Sequence, residues 1–426
     1  AKEIEYGKAL GMSIIVTDHH EVPYKENEAG RRYILPPADA VVDPRQEGCE
    51  YPFKGLCGAA VAYKLVEALC EANGQDVADL DYLLENVAIA TVADVMDLTE
   101  ENRILVKQGL EMLKRTSNLG LRALIQCIGL EGKKIQAYHI GFILAPCLNA
   151  SGKLDTAKRA LALLRAKTER EADMLAGDLK ALNESRRDMT DRVVDEAMAK
   201  VEQTDIRGDK VLVIYLPDCH ESLAGLVAGR VRENYYRPVF VLTDSEDGVK
   251  GSGRSIESYS MYEELTGCGN LLTKFGGHPM AAGLSIDKEN VEKFKRRLND
   301  QCTLSEEELT EKVVIDMELP FAAITEHFIE ELEYMEPFGK GNTKPVFAAR
   351  GVAMQHVKII GKNKNVAKAT AIDAAGNRME AICFHDAQEF AKQCERNNGK
   401  MSITFYPGIN EFRGERQIQI VITHYR

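Results

Sequence analysis

The stretch SIIVTDHHEVP, Ser13 to Pro23, decides how the first part of the chain is read. Its apolar residues Ile14 to Val16 predict a short buried strand over Ile14–Thr17, as in a parallel sheet. The strand stops at an acid and two adjacent histidines, Asp18, His19 and His20. In open parallel sheets the ligand-bearing loops lie at the carboxyl ends of strands, so this triplet stands where a site belongs. Imidazole and carboxylate together suit Mn2+, Zn2+ or iron. A second acid, Asp94, follows an apolar run in IATVADVMDL. The reading puts it at another strand end, where it joins the triplet if the two ends are neighbours. The plainer alternative makes His20 a turn cap and Asp94 a helix cap. Adjacent histidines with a second acid favour the metal.

Working outward, residues 1–10, AKEIEYGKAL, read as the second half of a helix that Gly11 ends. With no initiator Met, the chain is expected to begin inside a domain. Ala40–Val42 is a second short strand, Ala59–Ala72 an amphipathic helix, and a further helix runs to about Lys114. This is the alternation of a parallel sheet with helices on its faces. Residues 119–165 read as mostly helical, broken at LAPCLNASGKL. Lys167 to Glu202 has almost no helix breakers and predicts a long connecting helix. DKVLVIYLP, Asp209 to Pro217, opens a second α/β unit, and glycine-rich loops follow at GVKGSGRSI and KFGGHPMAAGLSI. Residues 313–426 are rich in short strands with polar turns, which predicts a small barrel of the oligonucleotide-binding (OB) kind. The expected divisions are 1–165, 166–204, 205–305 and 306–426.

Bulk properties narrow the function classes. A chain of 426 residues exceeds one core. No apolar run approaches the roughly 18 residues that span a bilayer, so no membrane role is expected. Ten scattered cysteines without a CxxC pair or zinc spacing predict reduced thiols and a cytoplasmic location. The net charge of −12 argues against a generally basic coat. From Lys340 to Arg426, however, 14 Lys/Arg stand against 7 Asp/Glu. A basic end on an acidic chain can hold a polyanion.

Further candidates lie downstream. GSGRS, Gly251 to Ser255, combines backbone freedom, the hydroxyls of Ser252 and Ser255, and the guanidinium of Arg254. As a loop it could present N–H groups and positive charge to a phosphate. His278 follows paired glycines in FGGHPMAAG. Arg230 in AGLVAGRV is a weaker candidate, with a surface ion pair as its alternative. Asn149 and Lys153 in NASGKL can line a phosphate cleft or simply form a capping loop. In the last region Lys358, Lys362, Lys364 and Lys368 flank a predicted hairpin. Phe405, Tyr406 and Phe412 could stack on bases, though strand aromatics usually belong to a core.

Taken in order, VTDHHEVP, GLCGAAVAYKL, ATVADVMDLTEENRILVKQGL, LNASGKL, GSGRS, KFGGHPMAAGLSI and EPFGKGNTKPVF resemble the DHH phosphoesterase superfamily, and within it the RecJ-type single-strand DNA exonucleases. The resemblance spans essentially the whole chain. It implies a DHH domain, a connecting helix, a DHH-associated domain and an OB-like barrel. It implies His19 and Asp94 as ligands of Mn2+ or Mg2+ in a two-metal site, His20 beside the scissile phosphate and Asp18 in support. Arg254, Ser252 and His278 would grip the nucleotide, with the two domains closing on one strand. Single-stranded DNA is the implied substrate, cut from the 5′ end to mononucleotides in repair and recombination. A helicase and a single-strand-binding protein are the implied partners. Lys153 stands where the family carries Arg, keeping the charge without the fork. The family's upstream aspartates have no counterpart in residues 1–17, where Glu3 and Glu5 lie on the helix. A metal-poor polypeptide, inactive alone, is therefore expected. Two other functions remain open: a DHH phosphodiesterase for short RNA or cyclic dinucleotides, and a non-catalytic single-strand-binding scaffold.

Overall fold

The structure is a computed structural model. It describes residues 1–426 apart from 28–29, 155–156, 247, 362–363, 385, 397–398 and 413, and apart from the side chains of 26–27, 153–154, 412 and 415. The chain forms two compact units. Ala1–Arg122, Gly129–Ala145 and Val314–Arg426 make the first, Ala123–Ile128 and Pro146–Val313 the second.

The first unit opens with helix α1 (Lys2–Ala9), which ends before Gly11 at φ +81. Strand β1 (Ile15–Thr17) follows, and β4 (Ala40–Val42) pairs with it in parallel, Thr17 opposite Val42. Between them lies an antiparallel hairpin, β2 (Tyr24–Asn27) and β3 (Gly30–Tyr33), that the sequence pattern does not announce. Helices α2 (Gly58–Ala72), α3 (Leu84–Ala93) and α4 (Glu100–Leu113) complete this part. Their core includes Leu56, Val61, Leu84, Val87 and Leu105.

The apolar run before Asp94 is thus a helix, and Asp94 ends a helix rather than a strand. Leu84, Val87, Ala88, Ile89 and Thr91 are all buried. A helix apolar all round needs cover on every side. Part of that cover is α4, where Gly109 permits close approach: a Cβ there would overlap the Leu84 carbonyl oxygen.

The expected break at LAPCLNASGKL is absent. Residues 137–139 are α-helical, Ile140–Leu144 form a π turn and Ala145–Leu154 are α-helical again. The wide turn interrupts the i→i−4 ladder just before Pro146, the residue with no N–H to contribute.

The last part of the first unit is the barrel: β11 (Phe347–Ile360), β12 (Val366–Ile372), β13 (Arg378–Cys383), β14 (Lys400–Phe412) and β15 (Glu415–Tyr425). The order β11-β12-β13-β15-β14 closes through β11–β14 pairing, with β13 and β15 parallel. A short strand, β10 (Met317–Glu318), adds to the edge of β11. Phe405 is fully buried beside Phe347 and Phe321, so it belongs to the core and is not free to stack on a base. Lys368 pairs with Glu380 at 2.8 Å. Lys362 and the Phe412 side chain lie outside the described residues. The preceding segment EPFGKGNTKPVF docks on the turn after Asp94. Leu98 donates its N–H to the Lys340 carbonyl at 2.7 Å, and the Lys340 ammonium pairs with Asp97 at 2.9 Å.

The second unit contains the 35-residue helix Glu169–Gln203, whose N-terminus is capped by the Thr168 hydroxyl. Strands β5 (Leu212–Tyr215) and β6 (Val239–Ser245) pair in parallel around helix Glu221–Tyr235. Strands β7 (Gly248–Arg254), β8 (Leu272–His278) and β9 (Ala281–Ile286) complete a mixed sheet in the order β5-β6-β7-β9-β8.

GSGRS and FGGH therefore lie largely in strands, not loops. Strand β7 pairs on both sides, with β6 and β9, so its backbone N–H groups serve the sheet rather than a phosphate. Its glycines answer a packing demand. A Cβ on Gly253 would come within 2.7 Å of Phe240 and Met261, and one on Gly251 would overlap Leu242.

Candidate metal centre

The centre starts where β1 stops. Asp18 extends the ladder by one bond, its N–H donating to the Val42 carbonyl at 3.0 Å. Its Oδ1 then accepts the backbone N–H of His19 at 2.7 Å and that of His20 at 3.2 Å. A short acid folding back on the next residues is an Asx turn, which fixes the exit of the chain from the strand. The same oxygen meets His20 Nδ1 at 2.7 Å. Burial raises the Asp18 carboxyl, but the His20 ring and the two backbone donors outweigh it, so its pKa lies below the ordinary 3.8.

His19 points inward, with a side chain 17% exposed, whereas His20 is 76% exposed. The His19 ring rests on the start of α2, where a Cβ on Gly58 would stand 3.3 Å from its Cδ2. Its Nε2 lies 3.7 Å from Asp94 Oδ2. Asp94 is held by its N–H bond to the Ala90 carbonyl, 2.9 Å. Val95 next to it takes φ +54, a left-handed conformation that costs a β-branched residue about 1–3 kcal/mol. The turn that aims Asp94 is therefore strained, and the Leu98–Lys340 bond just beyond helps hold it.

One ligand atom from each of Asp18, His19 and His20 lies within 4.8 Å of the others. With Asp94 beside His19, the donors are two imidazoles and two carboxylates. That mixture fits a divalent cation of the Mn2+ type. Asp18 and His20 are engaged with each other, so His19 and Asp94 are the donors best placed to ligate an ion, and two donors do not fill a two-ion site.

The second unit brings several candidates onto one face. In β7-β9-β8 the directly opposed residues form three rungs: Lys250, Ser285 and Lys274; Ser252, Gly283 and Gly276; Arg254, Ala281 and His278. Opposed residues share a face, and strands stand about 4.8 Å apart, so Arg254 and His278 sit roughly 10 Å apart on one rung. A hollow of about 510 Å³ is lined by Lys250, Ser252, Lys274 and Ser285 among others. Sequence reading misses Lys250 and Lys274; the alternation of Lys250, Ser252 and Arg254 is the available signal.

Arg254 is half-buried. Its Nη1 donates to the Gly253 carbonyl at 2.8 Å, and among the described residues it has no ion-pair partner. Burial, then the neighbouring Arg232, lower its pKa from the ordinary guanidinium value. A cation so placed favours an incoming anion. Helix Glu221–Tyr235 crosses closely here, since a Cβ on Gly225 would meet Arg254 Nη2 at 2.8 Å.

Ser255 is not on this face. It is 1% exposed and its hydroxyl donates to the Tyr259 carbonyl at 2.5 Å, a bond internal to the turn. Arg230 is exposed on its helix, and Asn149 is exposed on helix Ala145–Leu154. Lys153 lies on the same helix, but its side chain is outside the described residues.

Three family models match the chain: the DHH family N-terminal domain over residues 1–91, the DHHA1 domain over 208–304 and the RecJ OB domain over 315–424. The chain is 32% identical to the single-stranded-DNA-specific exonuclease RecJ of Escherichia coli, across 98% of this chain and 74% of that protein. The chain belongs to the RecJ family. It is also 36% identical to RecJ of Bacillus subtilis, covering 99% of this chain but 52% of that protein, so it spans about half of that relative's length. The crystal structure of RecJ in complex with Mn2+ from Thermus thermophilus superposes with a TM-score of 0.80 at 27% identity, over 100% of this chain and 60% of that one. A Mg2+ complex of the same protein gives 0.75 at 27% identity, over 88% of this chain and 57% of that one. The α/β fold with DHH, DHHA1 and OB-like parts is thus the RecJ fold. None of the described helices is long and apolar enough to cross a membrane.

Proposed function

We propose that this chain carries the phosphodiester-cleaving centre and strand grip of a metal-dependent exonuclease for single-stranded DNA. It works from the 5′ end, releases mononucleotides and serves repair and recombination in the cytoplasm. The observation that carries this reading is the approach of His19 to Asp94, with Asp18 and His20 alongside, in a chain of the RecJ family. The names of the curated relatives and the Mn2+ and Mg2+ complexes of the Thermus protein support it.

His19 and Asp94 are the residues that would hold the divalent ion. Such an ion supplies positive charge to phosphate oxygens and lowers the pKa of water. Asp18 does a different task. By accepting from His20 Nδ1 it fixes that ring and turns Nε2 outward to the solvent side, beside where the scissile phosphate would lie. Arg254, with Ser252 and His278 on the same and adjoining rungs, would neutralise the backbone of the strand. Asn149, Lys153 and Arg230 are further contacts in this reading. The OB-like barrel favours a polymer over a dinucleotide, because it adds surface that a short substrate does not need. A helicase and a single-strand-binding protein are the partners such an enzyme would work beside.

Calorimetric titration with Mn2+, and binding of labelled single and double strands, test this on the 426-residue polypeptide. Saturable Mn2+ binding that is lost in His19→Ala, with preference for the single strand, is expected. Hydrolysis by this polypeptide alone should be very slow, because His19 and Asp94 are too few ligands to hold a pair of ions. Rapid hydrolysis would remove that last claim; absence of Mn2+ binding would remove the metal centre itself.

A further inference from the structure

Outside the metal centre and the β7 face, the first unit carries an exposed aromatic pair. Tyr138 and Phe142 stack with ring centroids 4.9 Å apart and planes 28° apart. They are 60% and 72% exposed, so no core accounts for them. One turn apart on residues 137–144, they present a continuous π surface.

That surface extends in two directions. Toward the barrel lies Tyr406, whose phenol is raised first by burial and then by the nearby Tyr138 phenol. The Lys344 ammonium sits 4.1 Å from the Tyr406 ring centroid and 6.0 Å from that of Phe338. Toward the metal centre, the same helical turn packs on α3: a Cβ on Gly141 would stand 3.5 Å from Val92, two residues before Asp94. A row of rings therefore runs from the barrel to the helix that carries a metal-site acid. Two cations lie near it, Lys344 over the Tyr406 ring and the exposed Lys133 near His139.

Rings in sequence with cations beside them suit one ligand chemistry best. Unpaired bases offer a π face at every step, and their backbone offers negative charge at each link. A duplex hides those faces.

We propose that Tyr138 and Phe142 form a base-stacking shelf that seats a single strand next to the metal centre, with Tyr406 and Lys344 continuing it onto the barrel. This rests on the single-strand reading above and adds positioning residues to it. The shelf gives strand selectivity a local cause: bases must be unpaired to lie on it.

The chain contains no tryptophan, so Phe142→Trp introduces a single reporter. On adding oligo(dT) without metal, its fluorescence should be quenched; a blunt duplex of equal length should leave it bright. Tyr138→Ala with Phe142→Ala should weaken oligo(dT) binding roughly five- to 150-fold per ring lost. The slope of log affinity against log salt should not change, because no charge is removed. Both variants alter exposed side chains, and thermal melting checks that they fold. If the parent chain binds oligo(dT) but the introduced indole is not quenched and the double alanine variant binds equally well, the shelf is overturned and the single-strand reading stands. If the parent chain binds no oligo(dT), both fall together.

Discussion

At the end of β1, Asp18 and His20 satisfy each other and His19 stands against Asp94; on β7, Arg254 has a carbonyl for company and another guanidinium nearby. The first region is a close mixture of acids and imidazoles, suited to a cation. The second is positive charge on a strand, half-buried, with no acid paired to Arg254 among the described residues. The difference lies also in the backbone. The metal region hangs on turns, an Asx turn at Asp18 and a strained one at Asp94–Val95, which several hydrogen bonds hold. The β7 region is a regular ladder whose rungs set side-chain spacing. Turns can converge donors on a point, whereas a sheet distributes charge along a line. A metal needs the former and a polymer backbone the latter.

The largest effect that would sharpen this contrast concerns the ladder. Gly253→Ala drives a methyl into Phe240 and Met261. Overpacking of this kind typically costs about 1–3 kcal/mol, which urea denaturation would measure as a lower midpoint with unchanged slope. Gly276→Ala, on β8 with nothing within 4 Å of its new Cβ, should change stability by less than about 0.5 kcal/mol. Equal effects at both positions would show that β7 is not packed as described.

Next in size is the charge itself. Arg254→Gln should reduce the salt slope of oligonucleotide binding by about 1. Arg254→Lys should keep the slope while losing the fork geometry, and so bind more weakly at every salt concentration. Neither should alter Mn2+ binding. An Arg254→Gln variant with an unchanged slope would break the assignment of β7 to the strand backbone.

The smallest effect contrasts two acids at the ends of α3. Asp94 is part of the polar centre, but Glu85 is buried, and burial raises its pKa above 4.5 against a weaker opposing bond from Thr116. A raised pKa means that folding opposes its ionisation. Glu85→Gln should therefore stabilise the fold at neutral pH. The gain should shrink as pH falls through the raised pKa and vanish below about 4.5, where the carboxyl is neutral in both folded and unfolded chains. Thermal melting across pH tests this; a gain that grows toward acid pH would contradict it.

These regions also differ in how far the sequence alone reveals them. Ile14–Val16 ending in Asp18-His19-His20 is local information, and the structure has the strand, its parallel partner at Ala40–Val42 and the turn that follows. The strand is not buried as expected, however: its sheet has two strands, with Ile15 exposed and Val16 and Thr17 half-buried. The long helix and the barrel follow from equally local patterns. The sequence pattern misplaces Asp94 on a strand because an apolar run of this length carries no period that separates a strand from a wholly buried helix. GSGRS reads as a loop because glycine's usual reason is conformational. Here the reason is steric and comes from Phe240, Met261, Leu242 and Leu284, whose positions only the fold supplies. Ser255 shows the same limit: its neighbour Tyr259 uses its hydroxyl. The exposure of the Tyr138–Phe142 pair is invisible in the sequence, since a mostly helical pattern over 119–165 does not say which face meets solvent.

Anomalous diffraction from crystals of this chain grown with Mn2+ tests the central claim most directly. A manganese peak within bonding distance of His19 Nε2 and Asp94, absent in Asp94→Asn, is the predicted result. Ordered manganese only elsewhere, or a peak that Asp94→Asn leaves in place, would contradict it.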